Sequence, residues 1–139
     1  LWDFLRPNLY TMVLTAEGRG WRDQVRDLYD EGIAVALGQD DIADAYYPYG
    51  RNNMLEVAFL ASHLMWMTTF DEMEILYDLV TTRAAQAMGV QGFEMKEGNR
   101  ANLVVLNAES VWEALTDHEA PRHVIKNGKE VTGFREKTN

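Results

Sequence analysis

Cysteine does not occur among the 139 residues. Its absence excludes a disulfide framework, a thiolate metal site and a cysteine nucleophile, and it fits a reducing compartment, with cytoplasm as the default location. Basic clusters are missing as well. Lys and Arg number 13 against 22 Asp and Glu, a formal net charge of −9, and such a chain repels phosphate backbones, so nucleic acid is not an expected partner. Long apolar runs are also lacking. The most apolar stretch, residues 54–67, carries Glu56 and His63 and is too short to span a bilayer, and the N-terminus has no basic-then-apolar signal pattern. The chain therefore reads as soluble, with no membrane partner. Its three histidines, His63, His118 and His123, show neither H-x-H nor H-E-x-x-H spacing, so no complete zinc motif is present. "GNRANLVVL" has a glycine but no phosphate-loop pattern, and no internal repeat or low-complexity tract is visible.

What is present is enough for a core: 47% of the residues are hydrophobic, in a chain the size of one ordinary domain. "NLYTMVL" (residues 8–14) reads as a strand. "WRDQVRDLYDEG" places Trp21, Val25 and Leu28 at i, i+4 and i+7, an amphipathic helix stopped by Gly32. "IAVALG" (residues 33–38) is apolar at nearly every position, as expected of a strand buried on both faces of a parallel sheet. Residues 53–67 read as a helix apolar nearly all round, and Thr69-x-x-Glu72 is a capping box opening another. "TTRAAQAMG" favours a short helix with Gly89 placed to close it. The pattern then changes. "ANLVVLN" reads as a strand, "SVWEAL" as a helical turn or two, and "HVIKNGKEV" as a hairpin around Asn127-Gly128, which sets a boundary near Met95.

Chemistry can be sought in "LGQDDIADAYYPYG", residues 37–50. In parallel β/α architectures, function gathers where strands end, and Asp40 and Asp41 stand there. Standing alone, the pair is more simply the start of a turn or a helix cap; the functional alternative is a hard metal ligand or proton shuttle beside a substrate contact. Tyr46, Tyr47 and Tyr49, interleaved with Pro48, are either packed loop residues or a wall on which a ring stacks. The histidines read as structural or exposed, the stripe of Met65, Trp66 and Met67 as core, and Asp71, Glu72 and Glu74 as the acidic first turn of a helix.

Three passages, "GIAVALGQDDIADAYYPYGRNNML", "LVTTRAAQAMGV" and "EMKEGNRANLVVLNA" with "HVIKNGKEV", together resemble the C-terminal third of the cytosine deaminase branch of the amidohydrolase superfamily. The loop over residues 38–50 points to the cytosine deaminase and triazine-ring hydrolase branch; the tail passage points to the superfamily only. The resemblance implies an α/β fold: residues 1–94 as the last βα units of a (β/α)8 TIM-type barrel and 95–139 as strands of a small β-sandwich. It implies one divalent metal ion, zinc or iron, with Asp40 as a metal ligand and the catalytic proton carrier, and Asp41 and Tyr46 as substrate-binding residues. The other ligands in that family lie upstream, and this chain, which begins at Leu1 rather than Met, has no region to hold them. A piece of something longer is therefore expected, whose isolated polypeptide neither binds catalytic metal tightly nor deaminates cytosine. The implied partners are a nucleobase-like small molecule and the remainder of the barrel, with a homo-oligomer left open. Two alternatives stay open: removal of an alkylamine or opening of a cyclic amide on a triazine-like ring, and a non-catalytic α/β binding or oligomerisation module.

Overall fold

A computed structural model describes residues 19–39 and 48–131. The first expected strand, residues 8–14, lies outside the described residues. Helix α1 spans Arg19–Asp30; its apolar stripe buries Val25 and Leu28, and Gly32, at φ 74°, supplies the left-handed turn that ends it. Residues 33–37 follow, and all five are buried. They do not form the strand expected there, because no described strand pairs with them. A strand is defined by a hydrogen-bonded neighbour, and here the backbone is fastened instead by Ile33 N–H to the Leu28 carbonyl (2.9 Å) and Leu37 N–H to the Leu79 carbonyl (3.0 Å). Ile33, Val35 and Leu37 join the helical core, whereas Ala34 and Ala36, equally buried, stand outside that cluster.

Two more helices build that core: α2, Met54–Met65, is capped by Asn53, and α3, Phe70–Val80, opens with the expected capping box in full. The short α4, Thr82–Ala87, follows without a buried residue and ends near Gly89 at φ 66°. Met65, Met67, Leu76 and Leu79 are 1% exposed or less, and each such burial contributes about 1.5–3 kcal/mol relative to exposure. Trp66 departs from the expected core stripe. It takes the left-handed conformation that turns the chain from α2 towards α3, and its side chain remains 61% exposed.

Beyond α4 come β1 (Leu103–Val105), α5 (Val111–Asp117), β2 (His123–Lys126) and β3 (Lys129–Glu130). The strands form an antiparallel sheet in the order β1-β2-β3, with Val104 opposite Val124 and Ile125 opposite Glu130. Asn127 and Gly128, at φ 52° and 75°, make the two-residue turn whose twist matches such a hairpin. Leu115 of α5 belongs to the same core as α3, and Leu106, just beyond β1, packs against that core. No described helix is long and apolar enough to cross a membrane.

Polar joints lock α1 to α3 and α4. Glu72, 1% exposed, is the one charged residue buried among the described residues. Its Oε1 accepts from Arg22 Nε (2.8 Å) and Arg26 Nη1 (3.1 Å), and its Oε2 accepts from the backbone N–H groups of Thr68 (2.9 Å) and Thr69 (3.0 Å). Burial by itself would raise its pKa, but the Thr69 N–H, the Arg22 guanidinium and the Thr69 hydroxyl outweigh burial and hold the carboxyl at about 2, below the ordinary 4.5. Glu72 is thus more than the dipole-complementing acid its place in the sequence suggested. Further along, the Tyr29 hydroxyl donates to Asp78 Oδ2 at 2.6 Å. Arg83 lies over the Tyr29 ring, 4.6 Å from its centroid, and donates to the Tyr29 carbonyl at 3.3 Å. With Arg22 and Arg26 meeting Glu72, and Tyr29 meeting Asp78, α1 and α3 run in the same sense.

Candidate active-site loop and its anchors

Asp40, Asp41 and Tyr46 all lie outside the described residues, as does the rest of 40–47. What the structure supplies is the pair of anchors on either side of them. The upstream anchor is the Leu37 N–H bond to the Leu79 carbonyl, which ties the end of the buried segment to the last turn of α3. Gly38 is exposed and Gln39 half-buried. The Gln39 Oε1 atom is buried without a hydrogen-bond partner among the described residues, an arrangement that costs about 1–3 kcal/mol where a donor is lacking.

The downstream anchor is more elaborate. Pro48 and Tyr49 form a turn, with Tyr49 76% exposed, and Gly50 beyond it is buried. Arg51 Nε donates to Glu56 Oε2 at 3.3 Å, and Asn52 is left-handed at φ 54°, a conformation Asn tolerates better than most residues. Asn53 then caps α2, its Oδ1 accepting the Leu55 N–H at 3.0 Å. The same side chain reaches the turn after α5: Nδ2 donates to the His118 carbonyl at 2.8 Å and lies 3.4 Å from the Glu119 carbonyl. Beside this joint is a cavity of about 510 Å³ lined by Arg51, Asn53, Leu55, Tyr77, Leu106 and Pro121 among others.

Each histidine has a hydrogen-bonding neighbour. His63 Nδ1 meets the Phe59 carbonyl (3.0 Å), His118 Nδ1 the Thr116 carbonyl (3.1 Å), and His123 Nδ1 the Glu130 carboxylate (2.6 Å) across the hairpin. Phe59 sits between two of them, edge-on to His63 at 4.6 Å and stacked on His118 at 4.7 Å. No group of three His, Cys, Asp or Glu side chains able to hold a metal exists among the described residues.

Sequence reasoning passed over Gln39 and Asn53. Asn immediately before an apolar helix is an N-cap signal and could have marked the second; nothing in the sequence marks the first as lacking a donor.

Residues 3–132 match the amidohydrolase family. Over 103 residues the chain is 28% identical to N-isopropylammelide isopropyl amidohydrolase of Pseudomonas sp. (strain ADP), covering 73% of this chain and 26% of that protein. Among solved structures it is similar to 5-methylcytosine deaminase from Klebsiella pneumoniae liganded with 5-fluorocytosine, with 31% identity, a TM-score of 0.68, and coverage of 83% of this chain and 29% of the other. N-isopropylammelide isopropylaminohydrolase from Burkholderia multivorans ATCC 17616 is as similar: 31% identity, a TM-score of 0.70, and coverage of 77% and 27%. The chain spans about a quarter of the length of these relatives.

Proposed function

The chain belongs to the amidohydrolase family, and from that premise we propose that it is the C-terminal part of a hydrolase that removes an amino group from a nucleobase-like ring, cytosine being the leading substrate. The observation that carries this reading is the likeness to 5-methylcytosine deaminase, 31% identical over 83% of the chain, which agrees with the resemblance expected from the loop over residues 38–50. In this reading residues 1–94 are the last βα units of a (β/α)8 barrel, and 95–139 are strands of a sandwich beside it. The buried residues 33–37 between α1 and α2 stand where such a barrel would have a strand between consecutive helices.

The reaction replaces a ring C–NH2 by C=O: water bonds to the ring carbon, the C–N bond breaks and ammonia leaves, with no change of oxidation state. Asp40 takes the proton from the attacking water and returns it to the departing amine, a role that needs a carboxylate within hydrogen-bond reach of both. Asp41 hydrogen-bonds the ring, and Tyr46 covers its face. When bound, a divalent ion, zinc or iron, supplies the Lewis acidity that makes water a nucleophile near neutral pH. Asp40 is the ligand this chain contributes, and the remaining ligands come with the remainder of the barrel.

A second reading, removal of an alkylamine from a triazine-like ring, is favoured by the equal likeness to the isopropylammelide enzymes. One assay separates the two. The full-length protein is offered cytosine, 5-methylcytosine and N-isopropylammelide, and ammonia and isopropylamine are scored separately. Ammonia from the pyrimidines supports the first reading and isopropylamine the second; release of neither counts against both.

A further inference from the structure

Asn127-Gly128, the single Asn-Gly pair in the sequence, turns the hairpin between β2 and β3, and both residues are exposed. The side-chain carbonyl carbon of an asparagine can close a succinimide ring on the next residue's backbone nitrogen, and a following glycine leaves that nitrogen unhindered because it has no Cβ. The folded turn holds the two atoms apart. Ring closure needs the Gly128 nitrogen to eclipse the Asn127 Cβ about the Cα–C bond, whereas the left-handed conformation of Asn127, at φ 52° and with the positive ψ of that region, sets them nearly opposite. Two hydrogen bonds fix this conformation: the Gly128 N–H donates to the Ala101 carbonyl (2.9 Å), and the Asn127 N–H donates to the Asn102 side-chain Oδ1 (2.8 Å). Both acceptors lie just ahead of β1, so the approach to one strand pins the turn between the other two.

We propose that Asn127 is a site of spontaneous deamidation, and that the side chain of Asn102 keeps it closed in the folded protein. The Gly128 amide nitrogen bonds to Asn127 Cγ, the Cγ–Nδ2 bond breaks, and Nδ2 leaves as ammonia, taking up the proton that the Gly128 nitrogen gives. Water then adds to one of the two succinimide carbonyl carbons and opens the ring to aspartate or isoaspartate; ammonia is exchanged for water with no change of oxidation state. Isoaspartate carries the main chain through its own Cβ and Cγ, which lengthens a two-residue turn whose length sets the register of the hairpin. The pairing of Ile125 with Glu130, and with it the His123–Glu130 contact at 2.6 Å, is then lost, while β1 keeps its ladder with β2. The reaction waits on local opening of the hairpin, where β3 is two exposed residues at the edge of the sheet.

Peptide mapping by mass spectrometry of the full-length protein, kept warm at mildly alkaline pH, reads the mass gained when ammonia is exchanged for water. In urea, Asn127 is expected to deamidate ahead of Asn99, Asn102 and Asn107 and to give both products; in the native protein its rate should be at least about tenfold lower, following the population of the opened turn. Asn102→Ala removes the acceptor and should speed the native reaction about five- to tenfold, the scale of one lost hydrogen bond, with the rate in urea unchanged. Asn102→Asp keeps an acceptor and should keep the wild-type rate, and Asn127→Gly keeps a left-handed turn but should gain no mass there. Equal rates in the native state and in urea overturn protection by the turn. A native rate unmoved by Asn102→Ala overturns the role of Asn102, and so does an acceleration that persists in urea, where no turn is left to hold. Aspartate without isoaspartate overturns the ring route, and no gain of mass at Asn127 in urea overturns the site itself.

Discussion

Replacing Glu72 by Gln tests the joint that binds α1 to α3. The two carboxylate oxygens together accept from Arg22, Arg26, the Thr68 and Thr69 N–H groups and the Thr69 hydroxyl, the last at 3.0 Å. A glutamine has one acceptor oxygen, so it can serve the threonine side or the arginine side but not both, and its NH2 then opposes donors. The fall of the Glu72 pKa from 4.5 to about 2 is equivalent to about 3 kcal/mol of folded-state preference for the charged form. Because the folded value is the lower one, this stability is fully present above pH 4.5 and is lost as the pH falls towards 2. The Arg22 and Arg26 side chains are 36% and 39% exposed and can rehydrate, which keeps the loss at neutral pH to about 2–3 kcal/mol, below the cost of stranding a fully buried partner. Urea unfolding of wild type and Glu72→Gln, followed by tryptophan fluorescence across a pH series, should show that gap at pH 7 and near-convergence at about pH 2.5. A gap that stays constant over the acid range would refute the assignment of the lost stability to this carboxylate, and a gap under about 1 kcal/mol at pH 7 would refute the joint itself.

Three further outcomes are expected. Tyr29→Phe loses the hydroxyl bond to Asp78 and should cost about 1 kcal/mol at neutral pH. The same bond, then burial, then the charge of Asp78 raise the Tyr29 pKa above 10, against a smaller opposing effect of Arg83. The stabilisation is therefore present below pH 10 and lost as the pH rises through the folded value, which an alkaline difference titration of wild type against Tyr29→Phe can follow. Gln39→Leu removes a buried oxygen that has no partner among the described residues and should unfold at no lower urea concentration than wild type; a loss above about 1 kcal/mol would mean that a donor reaches Oε1. In the full-length protein, Asp40→Asn should lower kcat by at least about a hundredfold, the scale of general acid–base catalysis, while Asp41→Asn raises KM. Equal kcat in wild type and Asp40→Asn would remove Asp40 from proton transfer.

Elements specified within a few residues were legible in the sequence. The Thr69-x-x-Glu72 box, the Gly32 and Gly89 stops and the Asn127-Gly128 turn all stand as read, because each rests on hydrogen bonds or backbone angles confined to one turn. Resemblance along residues 38–50 led to the family, which the match over residues 3–132 bears out. The positions of Asp40, Asp41 and Tyr46 lie outside the described residues, so their grouping rests on the resemblance and its proposed chemistry.

Tertiary structure decided the rest. Residues 33–37 have the composition of a strand, yet no described strand pairs with them, since a ladder is a property of two segments and composition belongs to one. Trp66 is as apolar as its neighbours Met65 and Met67, but a left-handed turn sends it outward. Glu72 meets Arg22 across 50 positions, and Asn53 meets His118 across 65. Such pairings cost chain entropy that only the packing of whole helices repays, so a local pattern can supply the acid or the amide without naming its partner. The sequence by itself determined where helices begin and stop and which family the chain resembles; the fold decided which of its polar groups are buried and what holds the loop from either side.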